Sequence, residues 1–321
     1  MTQFRSFRNT DPPGLVEVWN DALTGRGAVR LRNSSPLERC TLSKLHFDPE
    51  GLILAIDEGA DRCVGFVHAG FGTNAAGEAL DHQSGVTCVL AVHTTHRRRG
   101  IGSELLRLSE EYLRGRGARK LYAGPLAPVN PFYFGLYGGC ELPGFLASDT
   151  FAEPFLVKHG YRATRTVQVL HRRVSEPIKV FDPRFVGHRQ RFEFGEDPLA
   201  RLGSWWQYNL FNGTESRVFT LLDRADNTYA ALATVWEMDG FSFRWNQPAA
   251  GVAEWFVRPE LRGQGIGKFL MSQVLRRAQE ELVEVVEVQI ESTNQIALQL
   301  CQALGFEQVD TGRLYVKQLS E

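Results

Sequence analysis

The sequence has few cysteines and almost no net charge. Its five cysteines, among 321 residues, are scattered without a Cys-x-x-Cys pair, which argues against a disulfide framework and a zinc site. Lys and Arg total 36 and Asp and Glu total 37, so the net charge of -1 provides no whole-chain field for nucleic acid or an anionic membrane. Unpaired thiols are typical of a reducing compartment, so we expect a cytoplasmic protein.

Long apolar runs are also missing. No stretch approaches the roughly 18 uninterrupted apolar residues of a membrane helix, and residues 1–5 lack the apolar segment of a secretory signal. The hydrophobic fraction of 43% is ordinary for globular proteins, and the length favours two domains over one. We therefore expect two packed cores, no bound metal, and neither a membrane nor a nucleic acid as partner. The oligomeric state stays open.

A repeated segment organises the chain. Residues 92–102 read Val-His-Thr-Thr-His-Arg-Arg-Arg-Gly-Ile-Gly, and residues 257–267 read Val-Arg-Pro-Glu-Leu-Arg-Gly-Gln-Gly-Ile-Gly. An apolar run before each copy predicts a buried strand, and apolar residues at helical spacing after each copy predict a helix. A second strand and a second helix with a Gly-aromatic turn follow in both cases. Each half is therefore predicted to be a mixed α/β unit.

The repeat divides the chain into two domains. The stretch 176–190, which contains two prolines and a glycine, predicts a linker between domains 1–175 and 191–321. The first domain carries an insertion, 125–148, which is too rich in Pro and Gly for a long helix and too aromatic for a solvated loop. Upstream of the Gly turns we predict hairpins joining 52–56 to 64–67 and 218–222 to 230–235, and helices near 14–23 and 198–210.

A Gly turn between a strand and a helix favours an anion. It exposes backbone N–H groups at the positive end of the helix dipole, where a pyrophosphate can bind; the alternative is a tight connection with a solvated basic face. A Walker A loop is excluded, because Arg262 replaces its first Gly and Phe269 follows Lys268. A dinucleotide fingerprint is excluded, because Leu105 and Leu270 replace its third Gly.

The pattern Val-x-Pro-x-x-Arg-Gly-x-Gly-Ile-Gly, followed by a helix, a strand and Asn-x-x-Ala-x-x-Leu-x-x-x-x-Gly-Phe, resembles the acyl-CoA-binding core of the GNAT superfamily of N-acetyltransferases. The second copy follows this pattern from Pro259 to Phe306. The first copy departs from it with Thr94 for the Pro, Arg98 for a Gly and Asp149 for the Asn. Together the copies span nearly the whole chain, as in a tandem two-domain member of that superfamily.

The resemblance implies two tandem acyl-CoA N-acyltransferase-like domains of the mixed α/β class, each a twisted mixed sheet flanked by helices. The fourth strand of each would splay from the fifth to admit the pantetheine arm, and the Gly turn would bind the pyrophosphate of acetyl-CoA. The second domain is expected to be better equipped for this co-substrate. The implied cofactor-binding residues are Val92, Arg97, Arg98, Arg99, Gly100, Ile101, Gly102 and Ser103 in the first copy and Val257, Arg262, Gly263, Gln264, Gly265, Ile266, Gly267, Lys268 and Asn294 in the second.

The candidate acid and base groups depart from the superfamily pattern. The Tyr that often protonates the leaving thiolate in this superfamily falls on Leu156 and Cys301; Cys301 is a candidate donor or else a small core residue. All eight His residues lie at or before His188, so the second domain needs another base. Glu254 interrupts an apolar strand and is the candidate, the alternative being a carboxylate that faces solvent or pairs with an Arg.

The insertion has two interpretations. It can form a wall of an acceptor pocket with Tyr133, Tyr137 and Glu141 as polar groups, the two tyrosines being further catalytic candidates, or it can form an interdomain packing surface. The resemblance implies acetyl transfer from acetyl-CoA to a primary amine of a small molecule or peptide by direct attack. Transfer of longer acyl groups and a non-catalytic CoA-binding sensor or scaffold are the alternatives.

Overall fold

The computed structural model describes residues 1–74, 76–126, 132–178, 180–198, 200, 209–211 and 214–318. The strands of the first half are β1 (Thr2–Ser6), β2 (Leu52–Asp57), β3 (Arg62–Thr73), β4 (Leu80–Val92), β5 (Lys120–Ala123), β6 (Phe145–Leu146) and β7 (Arg162–Arg173). Those of the second half are β8 (Phe192–Glu196), β9 (Ser216–Asp223), β10 (Thr228–Glu237), β11 (Ala249–Val257), β12 (Val285–Glu291) and β13 (Glu307–Gln318). The chain thus has the mixed α/β fold in two tandem halves that its repeat predicts.

Seven helices of at least two turns flank these strands in the described part of the chain. They are α1 (Pro12–Ala22), α2 (Ile101–Gly115), α3 (Ala152–Lys158), α4 (Phe185–Arg191), α5 (Asp239–Trp245), α6 (Ile266–Glu280) and α7 (Gln295–Ala303). The predicted helix near 14–23 corresponds to α1, whereas that near 198–210 lies mostly outside the described residues. Both predicted hairpins are confirmed by the antiparallel pairs β2–β3 and β9–β10.

The strands form one sheet in the order β1-β2-β3-β4-β5-β13-β7-β12-β11-β10-β9-β8, with β6 paired to β13. The strand order has the same pattern on both sides of its centre. The last strand of each half, β7 or β13, lies beside the strands of the other half. β7 of the first half pairs with β12, and β13 of the second half pairs with β5. The sheet therefore continues across the predicted domain boundary. Within the predicted linker, the described residues before α4 form neither helix nor strand.

A single apolar core joins the halves on one face of the sheet. It packs Trp19 of α1 and Phe132, Phe134 and Cys140 of the insertion against Trp236 of β10. The insertion contributes most through side chains that are almost fully inaccessible to solvent. Hydrophobic burial of this size stabilises the two halves as one unit. The described part of the insertion thus serves the packing role that the sequence left open.

Candidate active sites in the two halves

Each half contains a pair of parallel strands that splits. β4 pairs with β5 only as far as Thr87, and β11 pairs with β12 only as far as Val252. One residue later each long strand has a bulge against its other neighbour, at Cys88 and at Ala253. The strands then diverge toward the Gly turns. Both clefts are therefore built as the GNAT resemblance implies.

The Gly turns have the same backbone in both halves. Gly100 and Gly265 precede α2 and α6 with φ of 84° and 82°, in the left-handed region that glycine adopts without strain. Two residues earlier, Arg98 has φ of 64° and Gly263 has φ of 76°. Arg98 thus adopts the conformation that Gly holds in the second copy, at a cost of about 1 kcal/mol. The substitution changes the strain of the first turn but not its shape.

The first Arg of each turn contacts the preceding strand. Arg97 Nε donates to the carbonyl of Val92 at 3.1 Å, and Arg262 Nε donates to the carbonyl of Val257 at 3.1 Å. These hydrogen bonds occupy carbonyl groups at the strand ends and fix the geometry of the turn. The predicted role of both Arg residues in cofactor binding therefore comes in addition to a structural one.

The first cleft is open. A cavity of about 600 Å³ extends between the end of β4, the first Gly turn and α3. Of the residues predicted for cofactor binding, it is lined by Val92, Arg97, Arg98, Gly100, Gly102 and Ser103. Ile101 is instead buried in the core beneath the turn. His159 also lines the cavity, with Nε2 3.0 Å from Ser103 Oγ, and no sequence signal marked it.

The opposite side of the first split is covered by the insertion. A Cβ on Gly70 of β3 would lie 2.8 Å from the ring of Phe132, so the insertion packs directly on the sheet. Tyr133 OH lies 2.9 Å from Nδ1 of His68, which faces the bulge from β3. Tyr133 is 2% exposed, and burial raises its pKa well above the usual value. Tyr137 is also buried, so both tyrosines proposed from the sequence as pocket or catalytic groups lie in the core.

The second split carries two carboxylates from different halves. Glu254 lies two residues beyond the last paired residue of β11, and its Oε2 accepts a hydrogen bond from Thr234 Oγ1 at 2.6 Å. Glu141 of the insertion is close enough to Glu254 for their charges to interact. Burial and the carboxylates of Glu254 and Glu287 raise the pKa of Glu141 to about 8. A proton is therefore held in this cleft at neutral pH.

Cys140 explains why Glu141 reaches the second cleft. Its backbone N–H donates to Glu287 Oε1 at 2.7 Å, and its carbonyl accepts from Trp236 Nε1 at 3.0 Å. A Cβ on Gly251 of β11 would lie 2.4 Å from Cys140 Cβ, so only Gly admits this contact. These contacts to β10, β11 and β12 fix the insertion over the parallel pair, directly beside the split.

Glu287 is the buried anchor of this arrangement. Burial opposes its ionisation, but His171 Nε2 at 2.6 Å and Arg26 Nη2 at 3.3 Å hold its pKa below the usual value. Gln289 Nε2 donates to the same carboxylate at 3.0 Å. Glu287 is thus ionised and fully paired, which leaves Glu141 and Glu254 as the carboxylates available for proton transfer.

The residues at the superfamily's Tyr position are packing residues. Cys301 of α7 is completely buried among apolar side chains, and burial raises the pKa of its thiol to about 12. Leu156 of α3 is also buried. The structure thus favours the core interpretation of Cys301 over that of a proton donor. Asn294, predicted to bind the cofactor, accepts a hydrogen bond from the N–H of Ala297 at 3.2 Å and caps α7.

The second Gly turn is covered by Arg184, directly before α4, and by His188 of α4. Arg184 Nη1 donates to the carbonyl of Gly263 at 3.3 Å, and His188 Nε2 lies 3.0 Å from the carbonyl oxygen of Gln264. A Cβ on Gly265 would lie 2.8 Å from Cζ of Arg184, whereas a Cβ on Gly100 would meet no atom within 4 Å. The turn predicted to be better equipped is therefore the less open of the two.

The described residues contain neither a metal-binding cluster nor a membrane-spanning helix. No group of three or more His, Cys, Asp and Glu residues there is arranged to hold a metal ion. No helix in the described ranges is both long enough and apolar enough to span a membrane.

The sequence of the chain also matches a known family. The model of the acetyltransferase (GNAT) family matches residues 14–137 and 184–306, which is more than half of the sequence. The chain therefore belongs to the GNAT family and contains two of its units. A comparison with curated proteins finds no match.

Solved structures share the two-domain fold. A GCN5-related N-acetyltransferase from Sphaerobacter thermophilus is 14% identical with a TM-score of 0.66, covering 99% of this chain and 95% of that one. A tandem GNAT protein from the clavulanic acid biosynthesis pathway is 16% identical with a TM-score of 0.70, and the match covers all of both chains. A glucosamine N-acetyltransferase region of a fungal multi-domain β-N-acetylglucosaminidase is 17% identical with a TM-score of 0.73, covering 98% of this chain and 38% of that one. At these identities the likeness defines the fold alone.

Proposed function

We propose that the protein transfers an acetyl group from acetyl-CoA to a primary amine in its second cleft. The observation that carries the proposal is the pair Glu254 and Glu141 beside a split strand pair and a Gly turn, in a chain of the acetyltransferase family. The nitrogen–carbon bond forms as the amine attacks the thioester, and the carbon–sulfur bond breaks to release the CoA thiolate. The amine proton leaves to Glu254, directly or through water.

The acceptor class follows from the charge of the cleft. A primary amine is mostly cationic at neutral pH and must lose protons before it can attack and as it attacks. The carboxyl groups of Glu141 and Glu254, whose negative charges repel each other, favour binding of such a cation. A small-molecule or peptide amine fits this chemistry, whereas a neutral or anionic acceptor does not.

Both Gly turns are proposed to bind acetyl-CoA through its phosphates. The left-handed Gly100 and Gly265 permit close approach of the backbone N–H groups at the start of α2 and α6. We propose Arg97, Arg98 and Ser103 as further ligands in the first cleft, because they line its cavity. Lys268 is proposed for the second, since it lies in the first turn of α6.

A non-catalytic CoA site is the second candidate function, and one observation favours it for the first half. Its cavity is open on the cofactor side, but Phe132 and Tyr133 cover the sheet on the other side of the split. Among the described residues, these two side chains block the path of an acceptor amine from that side. The first half would then bind CoA as a sensor or structural ligand while the second half catalyses.

The state of the cysteines bears on localisation. All five cysteines are free and buried, which suits a reducing compartment, and we propose the cytoplasm. The partners we propose are the amine acceptor and acetyl-CoA, with no role for nucleic acid or membrane. The acyl chain is proposed to be acetyl.

A panel of primary amines tests the function. The protein is incubated with acetyl-CoA and each amine, and the released thiol and the mass of the product are recorded. Turnover with at least one amine supports the transferase. Tight acetyl-CoA binding without turnover across the panel would instead support the sensor.

A further inference from the structure

An internal ion pair lies at the second Gly turn. Asp182 accepts two hydrogen bonds from the Arg184 guanidinium, from Nε at 2.9 Å and from Nη2 at 2.7 Å. The Asp182 carboxylate is also 4.0 Å from Nζ of Lys268, the third residue of α6. A negative group from the linker segment is thus held by two cations at the positive end of a 15-residue helix.

The position of Arg184 depends on the absence of a side chain at the turn. Its guanidinium lies where a Cβ of Gly265 would come within 2.8 Å of Cζ, and Nη1 reaches the carbonyl of Gly263. Half of its side-chain surface remains exposed. The guanidinium therefore lies against the turn, with its exposed part facing the solvent from which a ligand would approach.

Among the described residues of the first half, no ion pair lies against Gly100 in this way. The space around the Cβ position of Gly100 is empty to 4 Å, and the cavity beside it is open. The two turns share their backbone conformation, so the difference lies in what the linker brings to the second. This contrast makes the first turn an internal reference for the second.

We propose that Arg184 is a phosphate ligand for acyl-CoA in the second cleft and that Asp182 occupies its guanidinium until the phosphate replaces it. A planar guanidinium binds a phosphate through two parallel hydrogen bonds, as it now binds the carboxylate. The exchange breaks one charge-assisted pair and forms another of higher charge. The proposal rests on acetyl-CoA binding to the second turn as part of the proposed function, and it assigns to the linker a part in cofactor recognition.

The test measures the dissociation constant of acetyl-CoA in a Gly100→Val background, which silences the first turn. Arg184→Gln is expected to weaken binding about tenfold, the usual effect of losing a charge-assisted hydrogen bond. Asp182→Asn is expected to tighten binding about threefold, because an amide competes less for the guanidinium than a carboxylate. Arg189→Gln on α4 removes the same charge away from the turn and is expected to change binding less than twofold.

A lower affinity for acetyl-CoA in Arg184→Gln together with a higher affinity in Asp182→Asn therefore supports the proposal. If Arg184→Gln leaves affinity unchanged or raises it, Arg184 is a packing residue or a lid, and the proposal is overturned while acetyl-CoA binding stands. If the Gly100→Val protein binds no acetyl-CoA at all, both this proposal and the assignment of the second turn fail. A thermal melt of each variant confirms that the affinities belong to folded protein.

Discussion

Two carboxylates from distant parts of the sequence, Glu254 and Glu141, are the groups we propose for acid–base chemistry in the second cleft. Glu254 could be named as a candidate from the sequence, because its carboxylate interrupts an apolar strand. The approach of Glu141 could not be predicted, since it depends on Cys140 contacting β11 and β12 of the other half. For the same reason the sequence could not show that Glu141 reaches the second cleft whereas Tyr133 and Tyr137 are buried in the core.

The role of Glu254 is tested by Glu254→Gln. The amide oxygen can still accept from Thr234, so we expect the fold and acetyl-CoA affinity to be retained. Loss of a positioned base lowers kcat by roughly 10² to 10⁴-fold. Cys301→Ala is the control, because a buried thiol that only packs contributes to stability and not to turnover. Full activity of Glu254→Gln across the pH range, or an equal loss in Cys301→Ala, would contradict the assignment.

Glu141 makes the stability of the protein depend on pH. Its pKa of about 8 in the folded state lies above the ordinary 4.5, so the folded protein binds the proton more tightly than the unfolded chain does. The free energy of unfolding should therefore be highest below pH 4.5 as far as this group is concerned, and fall by up to about 1.4 kcal/mol per pH unit as pH rises toward 8.

Urea unfolding of the wild type and Glu141→Gln at pH 5, 6.5 and 8 measures this contribution. The variant is expected to lose less stability than the wild type over this range, because it has no proton to release. Glu78→Gln, at an exposed position, should follow the wild type. Parallel curves for the wild type and Glu141→Gln would show that Glu141 is not buried beside other carboxylates.

At the scale of elements, the strand–turn–helix unit was predictable and its surroundings were not. Periodicity and glycine spacing give β4, α2, β11 and α6, because these signals are local. The covering of the second turn by Arg184 depends on how the linker packs on α6, and no local pattern encodes it. This is why the sequence favoured the second turn, whereas the structure shows the first to be more open.

Paired substitutions in the turns measure their separate affinities for acetyl-CoA. Val at position 100 or 265 must adopt a strained positive φ and brings methyl groups toward the phosphate site, so each should weaken binding at its own turn by at least about tenfold. Calorimetry is expected to give two sites in the wild type and one in each variant. Binding at the first turn should also weaken strongly with salt, because Arg97 and Arg98 line that cavity. If the wild type instead has a single site, and this site persists in Gly100→Val but is lost in Gly265→Val, the first turn does not bind acetyl-CoA.

At the scale of the whole molecule, exchange of the last strands joins the two halves in one sheet. β13 lies between β5 and β7, and β7 lies between β13 and β12. The repeat predicts two complete domains but not this exchange, because β7 and β13 are equivalent and either could pair within its own half. The division of the chain into domains 1–175 and 191–321 therefore remains a prediction from the sequence repeat.

The exchange predicts a single unfolding transition. Urea unfolding followed by tryptophan fluorescence and by far-UV circular dichroism should give coincident curves for the full chain, since neither half keeps its sheet without the other. The separate pieces 1–175 and 191–321 should each be less stable than the full chain, because each lacks the partner of its last strand. Two resolved transitions, with each piece as stable as in the full chain, would contradict this account.

The central claim is that acetyl transfer takes place in the second cleft. It is tested most directly by the mass of the acetylated amine formed from acetyl-CoA by the Gly100→Val and Gly265→Val proteins, using an amine that the wild type accepts. We predict that Gly100→Val forms product at a rate near that of the wild type, whereas Gly265→Val loses most of it at limiting acetyl-CoA. Product formation that survives Gly265→Val and is abolished by Gly100→Val would place the reaction in the first cleft and contradict the account.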